Sequence, residues 1–254
     1  MSNENRDLIA QWKAEETHQM QGWDFSYLAG RYIEEEPSWS YEAIVRSLLP
    51  AAESVLDMGT GGGEKLLEFR DLLPPYTVAT EGWEPNIPIA KANLEPHGIK
   101  VAEYDVAFDS RMPFEDDSFD LIINRHEAFD AVEVARILKP GGVFLTQQVD
   151  GAEHLADLAP VFGFEIPFSH VTLEKCGKQI SEAGLVIDRA EEWHGHVRFA
   201  DVGALVYYGH AVPWAFPADF SVERYADQLL ALHRGPDLSF RDGRFMIQAH
   251  KPAA

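Results

Sequence analysis

The chain has 254 residues, 46% of them apolar and 25% charged, so a sizeable core can form and wholesale disorder is disfavoured. Its 42 acidic side chains against 21 basic ones give a formal charge of −21, and no Lys/Arg-rich run offsets it, which disfavours a nucleic-acid partner. No apolar run approaches the roughly 20 residues that cross a bilayer, the polar first residues carry no signal core, and the single Cys176 excludes internal disulfides; the expected location is cytoplasmic.

Residues 1–50 have a texture of their own. Trp12, Trp23, Phe25, Tyr27, Tyr32, Trp39 and Tyr41 interleave with glutamates, a spacing that predicts short amphipathic helices joined at Gly22, Gly30 and Pro37. This stretch reads as a helical cover, and residues 51–254 as the main domain. From Ser54 the rhythm alternates: strand Ser54–Gly59, helix Glu64–Leu73, strand Thr77–Gly82, helix Ile87–Leu94, strand Lys100–Asp105, strand Phe119–Asn124, helix Ala128–Leu138, strand Gly142–Val149. Helix Thr172–Ala183, strand Leu185–Trp193, helical Ala200–Tyr208 and Val222–Leu232, and a closing edge strand Arg244–His250 follow. The β runs lack a polar alternating face, as parallel strands covered on both sides do. The expected fold is α/β, a doubly wound, mostly parallel, seven-stranded sheet.

The sharpest local signal is Asp57-Met58-Gly59-Thr60-Gly61-Gly62-Gly63 between a strand and a helix. Glycines there allow a tight turn and close approach of a ligand to backbone, at a helix start that offers N–H donors. The spacing is GxGxG rather than the dinucleotide GxGxxG, and Asp57 would repel a pyrophosphate. No GK[ST] follows, which excludes a phosphate-binding P-loop. Glu81 ends the second strand, where a carboxylate can take both ribose hydroxyls, and Asp105 ends the third, where it can accept from an adenine amino group. Three acidic strand ends describe a pocket for a cationic nucleoside without phosphates. A glycine-rich turn with no ligand is the bland alternative.

These residues resemble the class I S-adenosylmethionine-dependent methyltransferases, in particular the type 11 group. The similar segments are VLDMGTGGGEKLLEF (55–69), VATEGWEPNIPIAKANL (78–94), MPFEDDSFDLIINRHEAF (112–129) and ARILKPGGVFLTQQV (135–149). The resemblance implies a Rossmann-like sheet whose last strand is antiparallel, with S-adenosyl-L-methionine as cofactor. Asp57 and the loop of Gly59, Thr60, Gly61 and Gly63 would hold its methionine part. Glu81 with Gly82 would hold the ribose side, with Trp83 close to the adenine or ribose, Asp105 and Val106 would hold the adenine, and Asn124 and Arg125 would line the methionine moiety. The expected partner is a small-molecule methyl acceptor. Two departures stand out: Glu81-Gly82-Trp83-Glu84-Pro85 is bulkier than the usual acidic–aliphatic–Ser-Pro form, and the stretch from Asp105 to Pro113 is longer.

Methyl transfer from a sulfonium needs alignment rather than a nucleophilic side chain. If the acceptor must lose a proton, His126 is the candidate base, although His126 and Glu127 also suit structural or orienting roles. Tyr27, Tyr32, Trp193, Tyr207 and Trp214 are candidate acceptor contacts, most aromatic rings of the cover being core. His194 and His196 share a strand face but lack a third ligand at a recognisable spacing, so no metal is expected. An RNA methyltransferase, a non-catalytic nucleoside-binding module and a nicotinamide oxidoreductase are the competing readings.

Overall fold

A computed structural model describes residues 2–20 and 24–253; Gly22 and Trp23, expected as a helix joint and a cover aromatic, lie outside the described residues. The described residues form an eight-stranded sheet on α/β lines. Its strands are β1 (Tyr32–Glu34), β2 (Ser54–Met58), β3 (Tyr76–Glu81), β4 (Lys100–Glu103), β5 (Phe119–Arg125), β6 (Leu138–Val149), β7 (Val186–Phe199) and β8 (Ser239–His250), in the order β1-β7-β8-β6-β5-β2-β3-β4. By contacts the chain divides into two compact units, one of residues 1–37, 150–172 and 193–244, the other of 38–149, 173–192 and 245–254.

In the second unit β2 pairs in parallel with β3 and β5, β3 with β4, and β5 with β6. The chain runs outward through β3 and β4, then crosses back to β5 on the other side of β2. That reversal places the topological switch point between β2 and β5, where ligands of such sheets bind at the carboxyl ends. Val55, Leu56, Phe119, Ile122, Phe144 and Leu145 are all fully buried, as the continuous apolar runs require. At the amino ends of the strands the Asp120 carboxylate accepts from Ser54 Oγ at 2.6 Å and from Lys139 Nζ at 3.0 Å, tying β2, β5 and the start of β6 in register. Helices α2 (Tyr41–Leu48), α3 (Glu64–Leu67), α4 (Ile87–Leu94), α5 (Ala131–Ile137) and α7 (Leu173–Glu182) belong to this unit.

The first unit holds α1 (Asn3–Thr17), α6 (Leu158–Phe162), α8 (Val202–Ala211) and α9 (Ala226–Arg234). Its core is aromatic, with Trp12, Phe162, Phe199, Tyr208, Phe216 and Phe220 in one buried cluster.

Several expectations are revised. The sheet has eight strands because Tyr32–Glu34, expected within a helical cover, pairs antiparallel with Val197–Phe199. The last strand is antiparallel to both neighbours: Gly141 N–H donates to Lys251 O and Asp150 N–H to Gly243 O, while Phe199 N–H donates to Leu238 O and His250 meets Asp188. It lies inside the sheet, not at an edge, so its apolar run is buried on both sides. The helix expected over 64–73 stops at Leu67, with a 3-10 turn at Arg70–Leu72, because Pro74 and Pro75 force Leu73 into an extended conformation. The helix expected from Ala128 starts at Ala131, where the Asp130 side chain accepts from the N–H groups of Val132 and Glu133.

Gly63 tests how α3 is seated. Its φ is +86°, and a Cβ there would lie 2.6 Å from Cγ of the fully buried Leu94. Gly63→Ala is therefore expected to cost about 1–3 kcal/mol in urea unfolding; an unchanged midpoint would contradict this packing.

Candidate active site

Strand register decides where the acidic side chains fall. Asp57 sits opposite Ala79 and Ile123, and Glu81 opposite Glu103, so the carboxyl ends of β2, β3, β4 and β5 share one edge. The glycine loop then folds back on β3: Thr60 N–H donates to Thr80 O at 2.9 Å, and Gly63 N–H to Thr60 O at 3.0 Å. Gly59, Gly61 and Gly63 all have positive φ, which an L side chain adopts only under strain. Gly82 brings the next two strand ends together, since a Cβ there would meet Tyr104 O at 2.6 Å and Asp105 Cβ at 2.8 Å.

The Glu81 carboxylate is buried and accepts from Trp83 N–H at 2.8 Å. Burial pushes its pKa up, against the backbone N–H groups of Trp83, Gly61 and Gly82 and the Asn86 side chain, which pull it down. Burial likewise pushes Asp57 up to about 7, opposed by the Thr60 side chain and reinforced by the negative charge of Glu81. Glu127, just past β5, is raised to about 7 by burial, with Glu81 and Asp105 adding repulsion. Among the described residues none of Asp57, Glu81 and Glu127 is ion-paired with Lys, Arg or His. The strand ends thus gather carboxyls to which the described residues offer no cationic partner.

The other expected cofactor residues are placed as follows. Asp105 accepts from Ala107 N–H at 2.8 Å, which turns the loop carrying the half-buried Val106, and Trp83 is half exposed beside Glu81. Asn124 is fully buried; its Oδ1 accepts from Thr146 Oγ1 at 2.8 Å and Gln148 Nε2 at 2.6 Å, and its Nδ2 has no partner. Arg125 turns to Glu42, 3.2 Å away, and lies over the Tyr41 ring. A cavity of about 30 Å³ adjoins Asp57 between Tyr41, Leu66, Phe69 and Arg125.

The donor set fits a nucleoside carrying positive charge. Glu81 offers a buried carboxylate to hydroxyls, the glycine loop offers backbone without Cβ atoms, and Asn124 Nδ2 is a buried polar atom lacking a partner among the described residues. Glu127 is the site residue to which the sequence gave the least definite role. Its Cγ stands 2.3 Å from where a Gly59 Cβ would be, so the carboxyl leans directly on the loop.

The candidate acceptor residues lie in the other unit. Tyr27 stacks on His18 at 3.9 Å and packs on the buried Tyr207 at 4.7 Å; Tyr32 stacks on Tyr208 at 4.9 Å. Trp193 lies across Gly195, and Trp214 is exposed. A polar knot that no local motif announces sits beside Tyr208. His154 bridges Asp242 (2.5 Å) and the Tyr208 hydroxyl (3.1 Å), and Arg244 pairs with both Asp242 and Glu34.

Comparison with known proteins gives the class. Residues 56–146 match the family model of the methyltransferase domain. An uncharacterised methyltransferase, YcgJ of Bacillus subtilis (strain 168), is 31% identical over 121 residues, 44% of each chain, so the match spans less than half of that relative's length. The crystal structure of YcgJ superposes with a TM-score of 0.58 at 20% identity, covering 84% of this chain and 98% of that one. A functionally unknown protein from Deinococcus radiodurans R1 gives 0.58 at 16% identity over 98% and 100% of the two chains. An S-adenosylmethionine-dependent methyltransferase from Methanosarcina mazei gives 0.52 at 15% over 83% and 98%. These likenesses establish a Rossmann-like methyltransferase fold.

The raised carboxyls make a prediction about stability. Because folded Glu127 titrates near 7, above the 4.5 of a free carboxyl, the folded state holds the extra proton between those values and stability falls as pH rises through that window. Glu127→Gln removes the loss. In thermal melts at pH 8 the variant is expected to be more stable than wild type by about 1–3 kcal/mol, with the gap closing towards pH 4.5. A variant less stable at pH 8 would contradict the burial of this charge.

Proposed function

We propose that this protein transfers a methyl group from S-adenosyl-L-methionine to a small organic acceptor. The observation that carries the reading is the buried Glu81 carboxylate beside Asp57 and the glycine loop, carboxyls without a cationic partner among the described residues at the switch point of the sheet. When bound, the cofactor supplies a methyl group already activated on a sulfonium. Glu81 and the Trp83 side would hold the ribose hydroxyls, Asp105 and Val106 the adenine, and Asp57 with the loop of Gly59, Thr60, Gly61 and Gly63 the methionine part. The carboxylates stabilise positive charge there, and the protein's further work is to align the acceptor and exclude water.

A small acceptor is supported by the charge of −21, which opposes a polyphosphate substrate. The match to methyltransferases supports the reaction class. Fold likeness alone does not, because one neighbour at 16% identity and a TM-score of 0.52 is a [4+2]-cyclase.

Titration calorimetry tests the reading. S-adenosylmethionine and S-adenosylhomocysteine are expected to bind and NAD not to, and Glu81→Ala is expected to weaken S-adenosylmethionine by about 1–3 kcal/mol, roughly 5- to 150-fold. Equal affinity of the variant, or preferential binding of NAD, would overturn the assignment. Transfer of label to tRNA but to no small molecule would overturn the acceptor class.

A further inference from the structure

The carboxyls at the strand ends are not equally provided with donors. The buried Glu81 accepts from Trp83 N–H at 2.8 Å and is further held by the N–H groups of Gly61 and Gly82. Asp105 accepts from Ala107 N–H at 2.8 Å, and Asp57 has the Thr60 side chain beside it. Among the described residues Glu127 draws on the N–H of its neighbour Ala128 alone.

Its position is nonetheless closely set. His126 adopts a left-handed conformation, φ +60°, which turns the chain out of β5 just before Glu127. The His126 N–H donates to Gln147 O at 2.8 Å, and Gln147 Oε1 accepts from the buried Trp39 Nε1–H at 2.8 Å. On the other side Gln148 Nε2 donates to Glu127 O at 2.8 Å. The Glu127 side chain then lies against the glycine loop. A Cβ on Gly59 would stand 2.3 Å from its Cγ and 2.7 Å from its Oε2, so residue 59 is small where Glu127 rests on it. Its carboxyl also feels the charges of Glu81 and Asp105, which places it among the strand ends that outline the pocket.

Holding a carboxyl partly out of water with so few donors is costly. A second feature shows that this strand end is built to receive a ligand. The Asn124 Oδ1 accepts from the same Gln148 Nε2 at 2.6 Å, and its Nδ2, fully buried, has no partner among the described residues.

We infer that Glu127 is a cofactor-binding residue that meets the positive sulfonium of S-adenosylmethionine, the charge that distinguishes the methyl donor from its product. This role rests on the proposed methyl transfer and gives the positive centre of the ligand one named partner. A sulfonium has no hydrogen to donate, so it is recognised by nearby negative charge and not by a directed hydrogen bond. Glu81 and Asp105 spend their lone pairs on backbone N–H groups and suit hydroxyls and amines, whereas Glu127 keeps most of its own. S-adenosylhomocysteine lacks the sulfonium charge, so Glu127 favours the methyl donor over the product.

The test is calorimetry of S-adenosylmethionine and S-adenosylhomocysteine with the full chain at pH 8, above the value of about 7 at which Glu127 titrates. Glu127→Gln is expected to weaken S-adenosylmethionine about 10-fold and S-adenosylhomocysteine less than about 3-fold. Glu127→Ala is expected to shift the ratio of the two affinities in the same direction, and it decides the matter if Glu127→Gln fails to fold. Equal weakening of both ligands would overturn the inference, since it would put Glu127 on a group that the two share. So would unchanged affinities in a folded variant. Wild type that binds both ligands, with no change of ratio in the variants, removes the role of Glu127 and leaves the methyl transfer standing. Wild type that binds neither overturns the methyl transfer and this role with it.

Discussion

Negative charge held out of water at one edge of a parallel sheet is the constraint from which the site follows. Parallel register sends Asp57, Glu81 and Asp105 to the same ends of their strands, and the crossover from β4 to β5 adds Glu127 beside them. Burial disfavours ionised carboxyls, and their mutual repulsion disfavours them further. A protein that needed only stability would neutralise such a cluster. This chain does so at the opposite ends of the strands, where burial of Asp120 is outweighed by Ser54 and Lys139 and its carboxyl is held below the usual range. One sheet thus shifts half-buried carboxyls in opposite directions, according to whether the described residues supply their partner.

The glycine loop and the carboxylates act together. Positive φ at Gly59, Gly61 and Gly63 lets the loop turn under the strand ends and leaves backbone where side chains would stand. Glu127 leans on that surface from β5, and the Trp39–Gln147–His126 chain fixes the residue immediately before it. The β5 end therefore presents a carboxyl and an imidazole on adjacent residues.

The parts legible in the sequence are those set by local pattern. Uniformly apolar runs such as FDLIIN gave β5, GxGxG after Asp57 gave the loop, and an acidic residue at successive strand ends gave the outline of the pocket. What escaped depends on partners far apart in the chain. Trp39 and Gln147 are 108 residues apart and His154 and Asp242 are 88 apart, and neither residue type predicts its partner. The interior position of β8 was hidden for the same reason: an apolar strand reads alike at an edge or in the middle until its neighbours are known. The short β1 was masked by surrounding glutamates and aromatics, which fit a helical cover equally well. Glu127 had a weak signal, an acid just beyond an apolar strand, but only its approach to Gly59 identifies it with the loop.

If the strand-end carboxyls await a cation, filling the site must expel the protons they hold near neutrality. Calorimetry of S-adenosylmethionine binding at pH 6.5 in buffers of different ionisation enthalpy measures this directly. With Asp57 and Glu127 both titrating near 7, a net release approaching one proton per ligand is expected, shrinking towards zero by about pH 9. Binding at pH 6.5 with no proton exchange, or with proton uptake, would contradict the account.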